Sequence, residues 1–161
     1  MTILVKLLEN DVKIPTKGHS DDGGWDIYTP HTFSLAPQQG ITIECKLAFL
    51  LPLGWTGLVR SRSSVFKNDI TTEGTIDRYT GEIKIRLFNM GLSFHSFYKG
   101  SRIAQIVPAL TGAGLLGKFL SREVATLASV YEVLLACESL EVVEELPKTS
   151  RGGGGHGSTG K

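Results

Sequence analysis

A chain of 161 residues fits one domain of ordinary size. With 17 basic and 16 acidic residues the formal net charge is +1, which excludes a strong field for nucleic acid or an anionic membrane, so any anion must be bound locally. Two cysteines, Cys45 and Cys137, without CxxC spacing argue against a disulfide scaffold and a zinc site. The apolar run at residues 1–9 is too short for a signal segment, and no stretch has the length of a membrane helix, so the expected location is the cytoplasm.

In chain order, residues 2–8 read as a first strand with Ile3, Val5 and Leu7 on one side. A polar linker through Pro15 leads to Gly23-Gly24, a pair that permits close backbone approach. Asp26 lies between Trp25 and Ile27 and points away from both if the segment is extended; the alternative is an Asp bonded to local backbone at a turn. Pro30 and Pro37–Gly40 mark turns. Strands are expected over Thr32–Leu35 and Ile41–Phe49, the second alternating as Ile41, Ile43, Cys45, Leu47, Phe49. A turn at Pro52–Trp55 and a short strand at Gly57–Val59 lead into Arg60-Ser61-Arg62-Ser63-Ser64. A guanidinium fork with small hydroxyls suits a phosphate, and the same residues suit a solvated loop with a Ser cap before a helical turn at Val65–Asn68.

The segment Gly74–Leu87 reads as a β-hairpin. Ile83, Ile85 and Leu87 alternate with Lys84 and Arg86, Thr75-Ile76 approaches from the other side, and Asp77 and Tyr79 lie near the bend. A rigid bend suits a catalytic carboxylate, and an Asp that merely forms the turn fits the same pattern. Phe94, Phe97 and Tyr98 supply core or interface rings. A strand over Ile103–Val107 ends at Pro108 and carries Gln105, either a ligand contact or a solvated amide. Short strands with turn signals every eight to twelve residues predict an all-β barrel or sandwich.

Ser121 is placed to cap a helix over about 122–136, with Val124, Leu127, Ala128, Tyr131, Leu134 and Leu135 on one stripe; a strand pair over 130–135 is the alternative. Leu140–Leu146 alternates like a strand. The tail from Arg151 to Lys161 sets Arg151, His156, Ser158 and Thr159 among glycines, a composition for a lid over an anion or for a flexible end. Residues 155–161 fit GxxxxGK, but the parallel strand and following helix of a P-loop are not expected around them.

Five separated stretches together resemble the trimeric dUTPase family. Gly24-Trp25-Asp26-Ile27 is similar to its first motif and Arg62-Ser63-Ser64 to its second. Gly74-Thr75-Ile76-Asp77 through Tyr79 to Gly81-Glu82 is similar to the third, and Gly100–Gln105 to the fourth. Arg151–Gly160 is similar to the fifth. The resemblance implies a jelly-roll-type β-barrel over residues 1–148, with an insertion at about 111–138 holding a short helix near 121–136, and a glycine-rich lid at 149–161. It implies a homotrimer with active sites between subunits.

The implied activity is hydrolysis of dUTP to dUMP and diphosphate with Mg²⁺ held by the triphosphate, and no direct protein ligand to the metal. Asp77 would deprotonate the water that attacks the α-phosphorus. Tyr79 would pack under the deoxyribose, and backbone near Thr75 and Ile76 would read uracil. Arg62, Ser63, Ser64 and Gln105 would hold phosphates, with Lys84 a further substrate contact. Arg151 would reach the γ-phosphate, His156 would stack on uracil, and Gly157, Ser158 and Thr159 would close on the phosphates. Asp26 would be structural or touch the metal through water. Partners implied are dUTP and two further copies, without stable nucleic-acid or membrane binding, and a protein partner at 111–138.

The chain departs from the pattern at several points. Only Arg78 stands between Asp77 and Tyr79, where the family has two residues, so the bend is one residue shorter. Ser64 replaces a Gly, Ser101 an Asp and His156 a Phe; a histidine still stacks and adds a pH-dependent charge. Rival readings are a dCTP deaminase of the same superfamily and a nucleotide-sensing binder that uses the insertion as its effector surface.

Overall fold

Alternating apolar residues build most of the strands. The computed structural model describes residues 2–112 and 139–154. Its strands are β1 (Thr2–Leu7), β2 (Trp25–Tyr28), β3 (Phe33–Leu35), β4 (Gly40–Glu44), β5 (Leu47–Leu50) and β6 (Trp55–Arg60). One helical turn, α1 (Ser63–Phe66), precedes β7 (Ile70–Thr71), β8 (Glu73–Ile76), β9 (Lys84–Asn89), β10 (His95–Phe97), β11 (Arg102–Leu110) and β12 (Ser139–Val142). In β1 the alternation buries Ile3 and Val5, and in β9 it buries Ile85 and Leu87 while Lys84 and Arg86 stay outside. These residues share one core with Phe49, Ile43, Ile103 and Ile106.

The strands form four sheets, in the orders β12-β1-β5, β10-β3, β2-β11-β6-β8 and β4-β9-β7. This corrects the expected jelly-roll barrel: the chain is mostly β, but its sheets are open. Closure requires every edge strand to pair onward. Among the described residues β8 pairs only with β6, and β2 only with β11 beyond a single bridge between Thr16 and Asp26. Most strands are three to six residues long, too short to carry a ladder around a corner.

Three other expectations change. Ile41–Phe49 is two strands in two sheets, because Lys46 takes a left-handed φ of 55° and turns the chain between β4 and β5. The strand expected to end at Pro108 continues to Leu110, with Pro108 opposite Gly57. Beyond Ile106 β11 pairs, among the described residues, with β6 alone, and a proline is tolerated on a side without ladder bonds. The expected hairpin is not one: β8 and β9 belong to different sheets. The helix near 121–136 and nearly all of the insertion at 111–138 lie outside the described residues, as do residues 155–161.

Candidate active site

The separation of β8 from β9 creates the site. Among the described residues β8 pairs on its β6 side alone. β9 pairs with β4 over Lys84–Phe88, and with β7 only at Phe88 and Asn89. Both strands therefore keep stretches of edge without strand pairing, and both border one cavity of about 120 Å³. Thr75, Ile76, Tyr79, Lys84, Arg86 and Arg151 are among its lining residues. Strand edges present alternating N–H and C=O groups, a surface suited to a planar amide-bearing ring.

Asp77 follows the lining residue Ile76 directly. Its side chain is 55% exposed, Thr56 Oγ1 donates to Oδ1, and Arg151 Nη1 lies 3.8 Å from Oδ2. The bend turns in one residue because Arg78 adopts φ 46°, anchored where its Nη1 donates to the Leu51 carbonyl at 3.1 Å. The tail approach crosses the same bend: Thr149 Oγ1 donates to Arg78 O at 3.0 Å, and Thr80 N to Gly152 O at 2.9 Å.

Tyr79 is half-buried against the core, and its Oη donates to the Glu82 carbonyl at 3.0 Å. Lys84 Nζ donates to Glu44 Oε1 at 2.7 Å, and Lys46 Nζ to Glu44 Oε2 at 3.0 Å. Lys84 first, then Lys46, holds the Glu44 carboxyl down at about 2. Hydrogen bonds to Glu44 raise both lysines above the ordinary amine value.

A second group lies across the sheet. Asp26, 5% exposed, accepts from Arg62 Nε at 2.6 Å through Oδ1 and from Arg102 Nη1 at 3.3 Å through Oδ2. Arg62 Nη1 also donates to Ser64 Oγ at 3.1 Å. Gln105 stands opposite Asp26 on one side and Arg60 on the other. Gly24 packs closely beside it: a Cβ there would meet Gln105 Oε1 at 3.0 Å. The helical turn starts at Ser63, earlier than expected, with Arg62 at the cap position and no side-chain cap bond. Ser63 borders a neighbouring cavity that shares Thr72 and Glu73 with the first; Arg62, Ser64 and Gln105 do not line the first.

The structure thus gathers Thr75, Ile76, Asp77, Tyr79, Lys84 and Arg151, and sets Arg62, Ser64 and Gln105 apart. His156, Gly157, Ser158 and Thr159 lie outside the described residues. Sequence reasoning missed Thr56, which holds Asp77, and the pair Lys46 and Glu82. Thr56 and Lys46 sit far from the bend in the chain, and only strand register brings them to it. Among the described residues no three His, Cys, Asp or Glu side chains group to hold a metal. Asp26, expected to be structural or to touch the metal through water, has both oxygens taken by guanidinium groups.

Comparison with known proteins addresses the same chain from outside. The dUTPase family model matches residues 10–115. The deoxyuridine 5'-triphosphate nucleotidohydrolase of Kluyveromyces lactis is 34% identical over 99% of this chain and 95% of its own length. Its counterpart from Clostridium tetani is 32% identical over 99% of this chain and 97% of its own. Among solved structures, a dUTPase of phage 80alpha superposes with a TM-score of 0.64 at 28% identity, covering 67% of this chain and 89% of its own. The dUTPase of Staphylococcus aureus phage phi11 gives 0.63 at 25%, covering 67% and 90%. With a family match across two thirds of its length and relatives aligned nearly end to end, the chain belongs to the dUTPase family.

Proposed function

We propose that the protein hydrolyses dUTP to dUMP and diphosphate, with the nucleoside in the cavity between β8 and β9. The observation that carries this reading is the pair of free strand edges around one cavity, with a carboxylate held just beyond it by Thr56 and Arg151. Backbone at Thr75 and Ile76 reads the uracil edge. The Tyr79 ring forms the wall under the deoxyribose and leaves no room for a 2′-hydroxyl. Asp77 orients a water and takes its proton as the oxygen bonds to the α-phosphorus. The bond from that phosphorus to the oxygen bridging the α- and β-phosphates breaks, and diphosphate leaves. Such a transfer needs positioning and charge neutralisation more than covalent chemistry. Lys84, Arg86 and Arg151 put cationic groups around the cavity. Mg²⁺ enters as part of the substrate, on the triphosphate oxygens.

Arg62, Ser63, Ser64 and Gln105 bind phosphates in the proposed site, and strand spacing supports their doing so for another copy. Thr56, which holds Asp77, is four residues along β6 from Arg60, the neighbour of Gln105. At about 3.3 Å per residue that is roughly 13 Å, too far for both ends to grip the same phosphorus. A homotrimer with sites between subunits meets this geometry. In that site Arg151 reaches the γ-phosphate, and His156, Gly157, Ser158 and Thr159 close over the nucleotide.

Diphosphate release measured in parallel with dUTP, dTTP, dCTP and UTP tests the reaction; release from dUTP alone is expected. Asp77→Asn abolishes release and still binds dUTP in a calorimetric titration. Ammonia from dCTP would assign the chain to deamination instead. Mixing Asp77→Asn copies with Gln105→Ala copies restores activity only if one site draws on two chains.

A further inference from the structure

The shortened bend leaves Tyr79 two residues after Asp77, and the Glu82 carbonyl holds it there. The Tyr79 Oη donates to the Glu82 carbonyl at 3.0 Å, so the ring position follows wherever the Glu82 backbone is set. The Glu82 side chain adds a second hold at this point, beside the backbone bonds of Ile83. Lys46 N donates to Glu82 Oε1 at 3.0 Å, and Lys46 Nζ lies 3.3 Å from the same oxygen. Lys46 can present both groups to one carboxylate because its own backbone is left-handed at φ 55°. Its ammonium is steadied on the far side by Glu44, which also holds Lys84 at the cavity. Glu82 is 20% exposed at its side chain, sheltered enough for these contacts to be partly shielded from water. The adjoining Ile83 is pinned on both backbone groups, by Cys45 N and Leu47 O, so the residue after Glu82 cannot drift.

We propose that Glu82, gripped by Lys46, is a positioning residue that sets the Tyr79 ring in the nucleoside cavity and thereby sets the preference for deoxyribose over ribose. This rests on Tyr79 being the wall under the sugar. Glu82 does not touch the substrate; it acts through the ring. In a bend one residue short of the family pattern, the ring has less chain to adjust with, and the Lys46–Glu82 contact supplies the fixed point instead. A ring free to tilt away opens space beside the sugar and admits a 2′-hydroxyl.

The test compares kcat and KM for dUTP and UTP in native protein, Glu82→Ala, Glu82→Gln and Tyr79→Ala. Glu82→Ala should raise KM for dUTP and narrow the dUTP to UTP ratio of kcat/KM by about tenfold, short of the ~100-fold that a full 1 Å misplacement costs. Glu82→Gln keeps an oxygen that accepts from Lys46 N and should restore most of the ratio. A merely structural role would lower activity on both nucleotides in proportion, with a lower melting temperature and an unchanged ratio, and that result overturns the proposal. If Tyr79→Ala narrows the ratio and Glu82→Ala does not, the positioning role falls and the sugar-wall reading stands. If Tyr79→Ala leaves the ratio unchanged, the sugar-wall reading falls and this inference with it.

Discussion

Replacing Gly81 with alanine isolates the placement of Tyr79 by steric means. A Cβ on Gly81 would lie 2.5 Å from Tyr79 Cζ and 2.6 Å from Cε2. Carbon atoms in ordinary contact sit about 3.5–4.0 Å apart, so the ring must move by about 1 Å. The backbone at Gly81 is not left-handed, so alanine brings no conformational strain and the crowding acts alone. A misplacement of that size costs about 100-fold in rate, or ~2.7 kcal/mol of transition-state stabilisation. We expect kcat/KM for dUTP to fall by about that factor and UTP to lose less, because the displaced ring no longer rejects the ribose. Steady-state diphosphate release with both nucleotides measures it. Repeating the substitution in a Tyr79→Ala background removes the crowded ring, and there Gly81→Ala should cost nothing further. Unchanged kcat/KM for dUTP in a folded Gly81→Ala protein, or equal losses with and without the Tyr79 ring, would refute the reasoning.

Four further predictions concern the surroundings of the site. Asp26→Ala strands two guanidinium groups and should lower unfolding free energy by roughly 2 kcal/mol in a urea titration, less than the ~3–5 kcal/mol of a fully buried pair because Arg102 is half exposed. Arg151→Ala removes a contact between exposed groups, so stability should change by less than ~1 kcal/mol, while KM for dUTP rises about tenfold with the loss of a charged phosphate contact. Glu44 titrates near 2 in the folded chain and at 4.5 when free of its lysines. A depressed carboxyl stabilises fully above the free value, so the melting difference between native protein and Glu44→Gln should be constant at higher pH and vanish as pH falls from 4.5 towards 2. Burial pushes the Cys45 thiol up to about 12, so in a Cys137→Ser protein Ellman's reagent at about pH 8 should label nothing until denaturant is added.

The strands were legible where one face is buried and the other wet. Thr2–Leu7 and Lys84–Asn89 carry plain alternation, and both fold as that pattern dictates. Ile41–Phe49 carries it equally well, yet breaks at Lys46. Nothing in the residue type announces a left-handed lysine; its N–H is held by Glu82 from the loop before β9, and its ammonium by Glu44 at the end of β4. The same limit explains the open sheets. Alternation fixes which face of a strand is buried but not which strand lies beside it. Thr75-Ile76 and Ile83–Leu87 therefore read as the two arms of one hairpin, although tertiary pairing gives the first to β6 and the second to β4.

For the site, residue types were visible and partners were not. Asp77 and Tyr79 stood out as a carboxylate and a ring near one bend, and the structure puts Tyr79 and Arg151, more than seventy residues later in the chain, at one cavity with Asp77 just beyond it. Thr56 gave no signal, since a threonine in a strand is ordinary. Its role comes from position, as the residue of β6 next to the end of β8, where its hydroxyl meets the Asp77 carboxylate. Asp26 shows the opposite case. Its place between Trp25 and Ile27 fixed only the side it points to and left local backbone as its expected partner at a turn, but cross-strand register delivers Arg102 to it and the loop after β6 delivers Arg62. A carboxylate held by two guanidinium groups orients them rather than reacting. Arg62 then holds Ser64, so the chemistry proposed for the phosphates starts from a buried acid two strands away. On this reading the split between the two groups follows from the sheet itself. Gln105 stands at one end of the β6–β11 ladder and Thr56, which holds Asp77, near the other, and in the proposed trimer a triphosphate too short to span that ladder meets both when a second copy brings its own end across.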